Sequence, residues 1–453
     1  MKSINPATGE NIATYDPMTD QQVEEIIEAV HQRFDDWRRT DFEHRAGLMR
    51  RCAELLRERA QELGDLMTCE MGKVTSEAQG EVKKCAWVCD YYAEHAQSFL
   101  SDESIETDMS KSFITYQPIG VVLAVMPWNF PLWQVFRFVA PALMAGNVGV
   151  LKHASNVCGC AMAIEQVIVD AGFPKDVFRT LLIPSKQVEK VIRNSRVRAV
   201  TLTGSVPAGS AVAALAGEEL KKTVLELGGS DPYIILDDAD LKLAAQKCAQ
   251  SRLLNAGQSC IAAKRFIVVE KVYEAFVEAF VSEMKARKMG DPTDEDTDLG
   301  PQASADLRDE LHDQVRRSVE SGATCVLGGE IPEGEGAFYP PTVLTGVEPG
   351  MAAYDEELFG PVASVIKVAD TAEAVKVAND SEFGLGGAVF TKDVEKGLRL
   401  AAREIDTGFC AVNDFVKSDP RLPFGGVKKS GYGRELSFLG IREFVNIKTV
   451  TAP

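Results

Sequence analysis

The amino-acid sequence predicts an α/β fold built on parallel sheets. Two observations carry this reading. Short apolar runs alternate with helical stretches through two successive series, and the runs are apolar at every position rather than at every second one. Strands buried on both faces read that way, and helices then cover both sides of the sheet. With 453 residues the chain is also too long for a single core, so more than one domain is expected.

The elements follow in order. Residues 20–100 read as helical: Val23, Ile26, Ile27, Val30, Phe34 and Trp37 keep the i, i+3, i+4 rhythm of one buried face. Further helices are expected over Leu48–Leu66 and about Glu81–Leu100. Ser110–Gln117 alternates like an exposed strand, which Pro118 stops. The first apolar series then gives strands at Val121–Met126, Val148–Leu151, Phe178–Ile183, Ala199–Leu202 and Val224–Leu227. Helices fall between them at Trp133–Met144, Cys160–Ala171, Val188–Asn194 and Ala208–Ala216. A second series runs from Pro232 to about Arg421 and opens with strand Tyr233–Leu236, helix Leu241–Leu253, strand Phe266–Val269 and helix Val272–Lys285. Phe444–Val450 reads as one more strand, with an edge suited to another subunit.

Composition narrows the function classes. Hydrophobic residues make up 45% and charged residues 26%, a globular profile. The net charge of −18 opposes nucleic acid and anionic membranes. The opening MKSINPATGE has no apolar core flanked by basic residues, and no apolar run is long enough to span a bilayer, so a cytoplasmic protein is expected. The ten cysteines are scattered, and Cys85/Cys89 and Cys158/Cys160 lack partner ligands at zinc spacing. No metal site and no disulfide framework are expected.

One cysteine stands apart. Cys260 follows the turn Asn255-Ala-Gly-Gln-Ser and precedes a strand. Spacing alone leaves it either a buried thiol or a nucleophile, because activation depends on surroundings that composition does not show. The segment Gly257-Gln-Ser-Cys260 resembles the cysteine site of the aldehyde dehydrogenases. Leu225-Glu226-Leu-Gly-Gly229 is similar to that family's glutamate site. Pro127-Trp-Asn-Phe-Pro131, Glu357-Leu-Phe-Gly-Pro361 and Pro423-Phe-Gly-Gly-Val-Lys-Lys-Ser-Gly431 resemble three further signatures, and Asn5-Pro-Ala-Thr-Gly9 the usual opening. Several long motifs in fixed order are far more specific than one short pattern.

The resemblance implies roles. Cys260 corresponds to the nucleophile, Asn129 to the side chain that stabilises the oxyanion, and Glu226 to the general base that activates water. Gly204 and Ser205, at the end of a strand and the start of a helix, correspond to the turn facing the cofactor pyrophosphate. Lys152 corresponds to the lysine at the adenosine ribose. Trp128, Glu357 and Phe359 correspond to the nicotinamide end. Many NAD-preferring relatives carry Lys-Pro-x-Glu where this chain has Lys152-His-Ala-Ser155. Ser155 cannot repel a 2′-phosphate, so NADP is expected as cofactor, with NAD the alternative. Arg137, eight residues beyond Asn129, matches an arginine that grips the substrate carboxylate in succinate-semialdehyde dehydrogenases. Ser418 resembles a second carboxylate contact. The expected substrate is therefore succinate semialdehyde, with glutarate semialdehyde, one methylene longer, as alternative. Some relatives place another arginine where this chain has Leu254, and Arg252 lies two residues before it.

The implied architecture is the aldehyde dehydrogenase fold. It comprises a Rossmann-like cofactor domain (1–99 and 119–228), an α/β catalytic domain (229–425) and a small β oligomerisation element (100–118 and 438–453). A homodimer or homotetramer is expected. Three other readings compete. A CoA-acylating dehydrogenase generally lacks the general-base glutamate, a cysteine hydrolase needs a histidine partner among only five histidines, and a non-enzymatic protein predicts loss of a catalytic residue.

Overall fold

A computed structural model describes all residues, Met1–Pro453. It contains two large parallel-rich sheets, a three-stranded antiparallel sheet and two antiparallel strand pairs, Lys2–Ile4 with Asn11–Thr14 and Phe383–Gly384 with Val427–Lys428. The first large sheet has six strands in the order Gly431–Tyr432, Lys222–Glu226, Val197–Thr203, Val121–Met126, Val148–His153, Phe178–Thr180. All neighbours are parallel except Gly431–Tyr432. Every residue of Val148–His153 is buried, as expected of a strand covered on both faces. The chain runs outward from Val121–Met126 in one direction, then returns and runs outward from Val197–Thr203 in the other. The crevice beyond the carboxyl ends of these two strands is where such sheets bind ligands.

The second large sheet has seven strands: Thr324–Leu327, Thr342–Thr345, Val362–Val368, Ala263–Val269, Asp231–Ile235, Gly386–Phe390 and Phe409–Val412. Only the first pair is antiparallel. Helices Leu241–Leu253 and Tyr273–Lys285 pack together on this sheet through Phe266, Phe276 and Phe280.

The third sheet pairs Val445–Ala452 antiparallel with Lys111–Pro118, from Val445↔Pro118 to Ala452↔Lys111, and adds Glu103–Ser104 on the other side. The final strand therefore takes a partner within its own chain. Its second edge stays open, with Ile447 59% exposed.

Several element bounds differ from the sequence reading. The helix expected over Leu48–Leu66 is two helices, Phe42–Glu58 and Ala60–Met71, separated at Arg59. The Asp41 side chain caps the first by accepting from His44 N, and left-handed Gly72 ends the second. Apolar rhythm continues across the one-residue break, so periodicity does not reveal it. The next helix starts at Thr75, not Glu81. Strand Phe178–Ile183 shortens to Phe178–Thr180 ahead of Pro184. Gly431–Tyr432, beyond residue 425, extends the first sheet; two residues are too few to show a period. No helix is long and apolar enough to cross a membrane.

Candidate active site

Two loops meet at the crevice. Met126 leads into Pro127–Pro131, and Thr203 leads into Gly204 and Ser205. A third segment, Leu254–Cys260, comes from the second sheet. Asn255, Ala256 and Gly257 take φ of 54°, 51° and 77°, three successive left-handed residues. Gly257 has no alternative there, because a Cβ would lie 2.2 Å from the Gly360 carbonyl oxygen. The turn into Cys260 is thus seated directly on the Glu357–Pro361 segment.

The Asn129 side chain is fixed from both ends. Its Nδ2 donates to the Gln258 carbonyl at 2.9 Å, and its Oδ1 accepts from Gln134 Nε2 at 3.1 Å. Those two bonds set which way the amide faces. The Asn129 carbonyl accepts from Lys73 Nζ and Asn255 Nδ2, each at 2.8 Å. Lys73 in turn ion-pairs with buried Glu81, whose other oxygen accepts the Leu132 and Trp133 N–H groups at 2.9 Å. Lys264 Nζ donates to the carbonyls of Ser259 at 3.0 Å and Cys260 at 2.8 Å, and lies 3.3 Å from a Glu357 oxygen. It ties the cysteine loop to the Glu357 segment.

Cys260 lies at the junction of two cavities. One, of ≈260 Å³, is lined by Trp128, Asn129, Gly204, Ser205, Glu357 and Phe359 among others. The second, of ≈310 Å³, is lined by Arg137, Ser418 and the aromatic rings of Phe130, Trp133 and Phe415. Burial pushes the Cys260 thiol up to about 12, against the opposing pull of Arg137 and Lys264. Such a thiol is protonated at neutral pH and needs a base before it attacks.

Glu226 ends its strand fully buried, paired to Thr203 on one side and Gly431 on the other. Neither carboxylate oxygen has a hydrogen-bond partner. Burial and then the neighbouring Glu435 hold its carboxyl well above the usual range, while Arg137 and Arg434 oppose the shift. Once ionised, a carboxyl of raised proton affinity is a stronger base than an ordinary carboxylate. Glu435 ion-pairs with Arg137. The sequence reading did not identify Gln134, Glu435 or Lys264, since none falls within a quoted motif.

The cofactor-facing residues divide into two groups. Trp128, Gly204, Ser205, Glu357 and Phe359 share the first cavity, with the Trp128 and Phe359 rings edge to face at 5.8 Å. Ser205 caps helix Val206–Glu218, its hydroxyl accepting from Ala208 N. Other first-turn N–H groups remain for an anion. Gly228 leaves room for Glu357: a Cβ there would sit 2.3 Å from Oε2. Lys152 and Ser155 lie apart, at the end of strand Val148–His153. Buried Lys152 points its Nζ toward Ser185 Oγ at 3.5 Å, and Ser155 is half-buried just beyond. A helix start, a cavity walled by aromatic rings and a buried lysine further along fit a dinucleotide's phosphates, nicotinamide and ribose in turn.

Arg137 and Ser418 do share a cavity. Arg137 is engaged at the same time with Glu435 and lies 4.7 Å from the Phe424 ring centroid. Arg252 does not substitute for the arginine missing at Leu254: it is fully buried and braces the turn through the Gly257 carbonyl at 2.6 Å. None of the five histidines lines either cavity. His153 is buried and neutral, Nε2 on the Pro131 carbonyl, and burial lowers it to about 4. The cysteine-hydrolase reading thus lacks its base.

Comparison with known proteins accords with this geometry. Residues 1–450 match the aldehyde dehydrogenase family. A succinate-semialdehyde dehydrogenase [NADP(+)] of Mycolicibacterium paratuberculosis is 52% identical over 452 residues, 99% of this chain and 96% of that protein. A Mycobacterium tuberculosis succinate-semialdehyde dehydrogenase [NADP(+)] 1 is 51% identical over 451 residues, covering 99% and 98%. Among solved structures, succinic semialdehyde dehydrogenase from Streptococcus pyogenes in complex with NADP+ superposes with a TM-score of 0.98 at 43% identity, covering 100% of this chain and 99% of that one. Matched almost end to end in sequence and in fold, this chain belongs to the aldehyde dehydrogenase family.

Proposed function

We propose that the protein is an NADP-dependent succinate-semialdehyde dehydrogenase with Cys260 as nucleophile. The observation that carries this is the position of Cys260 between two cavities of different chemistry. The Trp128–Glu357–Phe359 cavity suits a nicotinamide ring, and the other offers cations and a hydroxyl for a carboxylate. The 43–52% identical relatives bearing that activity point the same way.

Cys260 Sγ adds to the aldehyde carbon as its proton is released to solvent, with the positive charges of Arg137 and Lys264 favouring the thiolate. Asn129 Nδ2 donates to the oxygen that becomes negative, in an orientation held by Gln134 and Gln258. The nicotinamide, when bound, accepts the hydride. The acyl group is then a thioester on Cys260. Glu226 takes a proton from water, the resulting hydroxide adds to the thioester carbon, and the C–S bond breaks to give carboxylate and thiol. Lys152 and Ser155 would meet the adenosine ribose and its 2′-phosphate, and Ser155 brings no negative charge against it. Cys260→Ser should abolish NADPH formation from succinate semialdehyde, and NADP should surpass NAD in kcat/KM. Retained turnover in that variant refutes the reading.

The open edge of Val445–Ala452 favours a homodimer or homotetramer, which light scattering on the purified protein tests. Ten free cysteines fit a reducing cytoplasm.

A further inference from the structure

The substrate-side cavity contains a cation that none of the sequence motifs indicates. Lys84, on helix Thr75–Phe99, lines it together with Arg137. Its Nζ donates to Ser418 Oγ at 2.7 Å and lies 4.4 Å from the Trp133 ring centroid. No carboxylate pairs with it. Arg137, by contrast, already has its charge engaged by Glu435. An ammonium keeps further donors after serving one hydroxyl. Phe130, Trp133 and Phe415 line the approach, so an anion there meets Lys84 in surroundings of low dielectric.

We infer that Lys84 and Ser418 together anchor the distal carboxylate of the substrate, with Lys84 as its main cation. This rests on the reading of the substrate as an aldehyde bearing a carboxylate. It also accounts for Leu254, where some relatives carry an arginine: the second cation enters from a different helix. Lys84 is set for the task electrostatically. Burial and then Arg137 lower its ammonium to about 8, while Cys85 and Glu81 on its own helix and Asp419 beyond Ser418 oppose the fall. Lys73, Lys417 and Glu77 line the same cavity. An arriving carboxylate favours the charged form of Lys84. Substrate affinity should therefore fall as pH rises past about 8.

The test compares succinate semialdehyde with butanal, an aldehyde of the same length without the carboxylate, in the wild type, Lys84→Met and Lys84→Arg. A hydrogen bond to a charged group corresponds to about a 10- to 150-fold change in affinity. Lys84→Met should raise KM for the semialdehyde by that factor, leave its kcat within a few-fold and leave butanal kinetics unchanged. Lys84→Arg should retain semialdehyde KM and remove its rise above pH 8. Calorimetric titration with succinate should show the same loss in Lys84→Met, independent of turnover. Equal effects of Lys84→Met on both aldehydes, or unchanged KM and succinate affinity, overturn the inference while leaving the proposed substrate intact. A wild type that does not prefer the semialdehyde over butanal overturns both.

Discussion

Glu226→Gln separates the two halves of the reaction. The side chain keeps its shape, and the replaced carboxyl has no hydrogen bond to lose, since both oxygens are unpartnered. What disappears is the proton acceptor. A positioned base contributes about 10²–10⁴-fold, or about 3–5 kcal/mol of barrier, and kcat should fall by that amount. Rapid mixing should show a burst of NADPH followed by a slow phase, with a thioester on Cys260 visible by intact mass. The same burial fixes the sign of the stability effect. The folded carboxyl is raised above its unfolded value, so its contribution is fully present below the unfolded pKa and is lost as pH rises through the folded one. At pH 8 the variant should melt no lower than the wild type, and its advantage should shrink on acidification. Wild-type kcat in Glu226→Gln, or a fall in kcat matched by a fall in Tm at pH 8, would refute the reasoning.

Three other changes are informative. Ser155→Glu should shift kcat/KM toward NAD, by repelling a 2′-phosphate and gaining ribose hydroxyls; an unchanged NADP/NAD ratio places Ser155 away from the ribose. Gln134→Leu removes one of the two bonds orienting the Asn129 amide, and kcat should fall about 10-fold, the effect of about 1.4 kcal/mol, while cofactor affinity by fluorescence titration holds. Gly228→Ala places a methyl 2.3 Å from Glu357 Oε2. Cofactor affinity should weaken with Tm within a few degrees, and unchanged affinity argues against Glu357 as a cofactor contact.

Much of this molecule was legible in its sequence, because the strands of a sheet covered on both sides must be apolar throughout and the turns at its carboxyl ends carry unusual residues. Val121–Met126, Val148–His153 and Val197–Thr203 announce themselves by composition, and Gly257 and Gly228 stand where a Cβ has no room. The chain alone thus determined the fold class and the segments that converge on Cys260. Which of their side chains touch was decided in three dimensions. Lys84 and Ser418 are 334 residues apart, and Asn129 and Gln258 are 129 apart. Burial first and then Glu435 raise Glu226, and Glu435 follows the short strand Gly431–Tyr432 that pairs with the strand ending in Glu226. Long-range electrostatics and burial depend on distances in space, and no local pattern of residues encodes them.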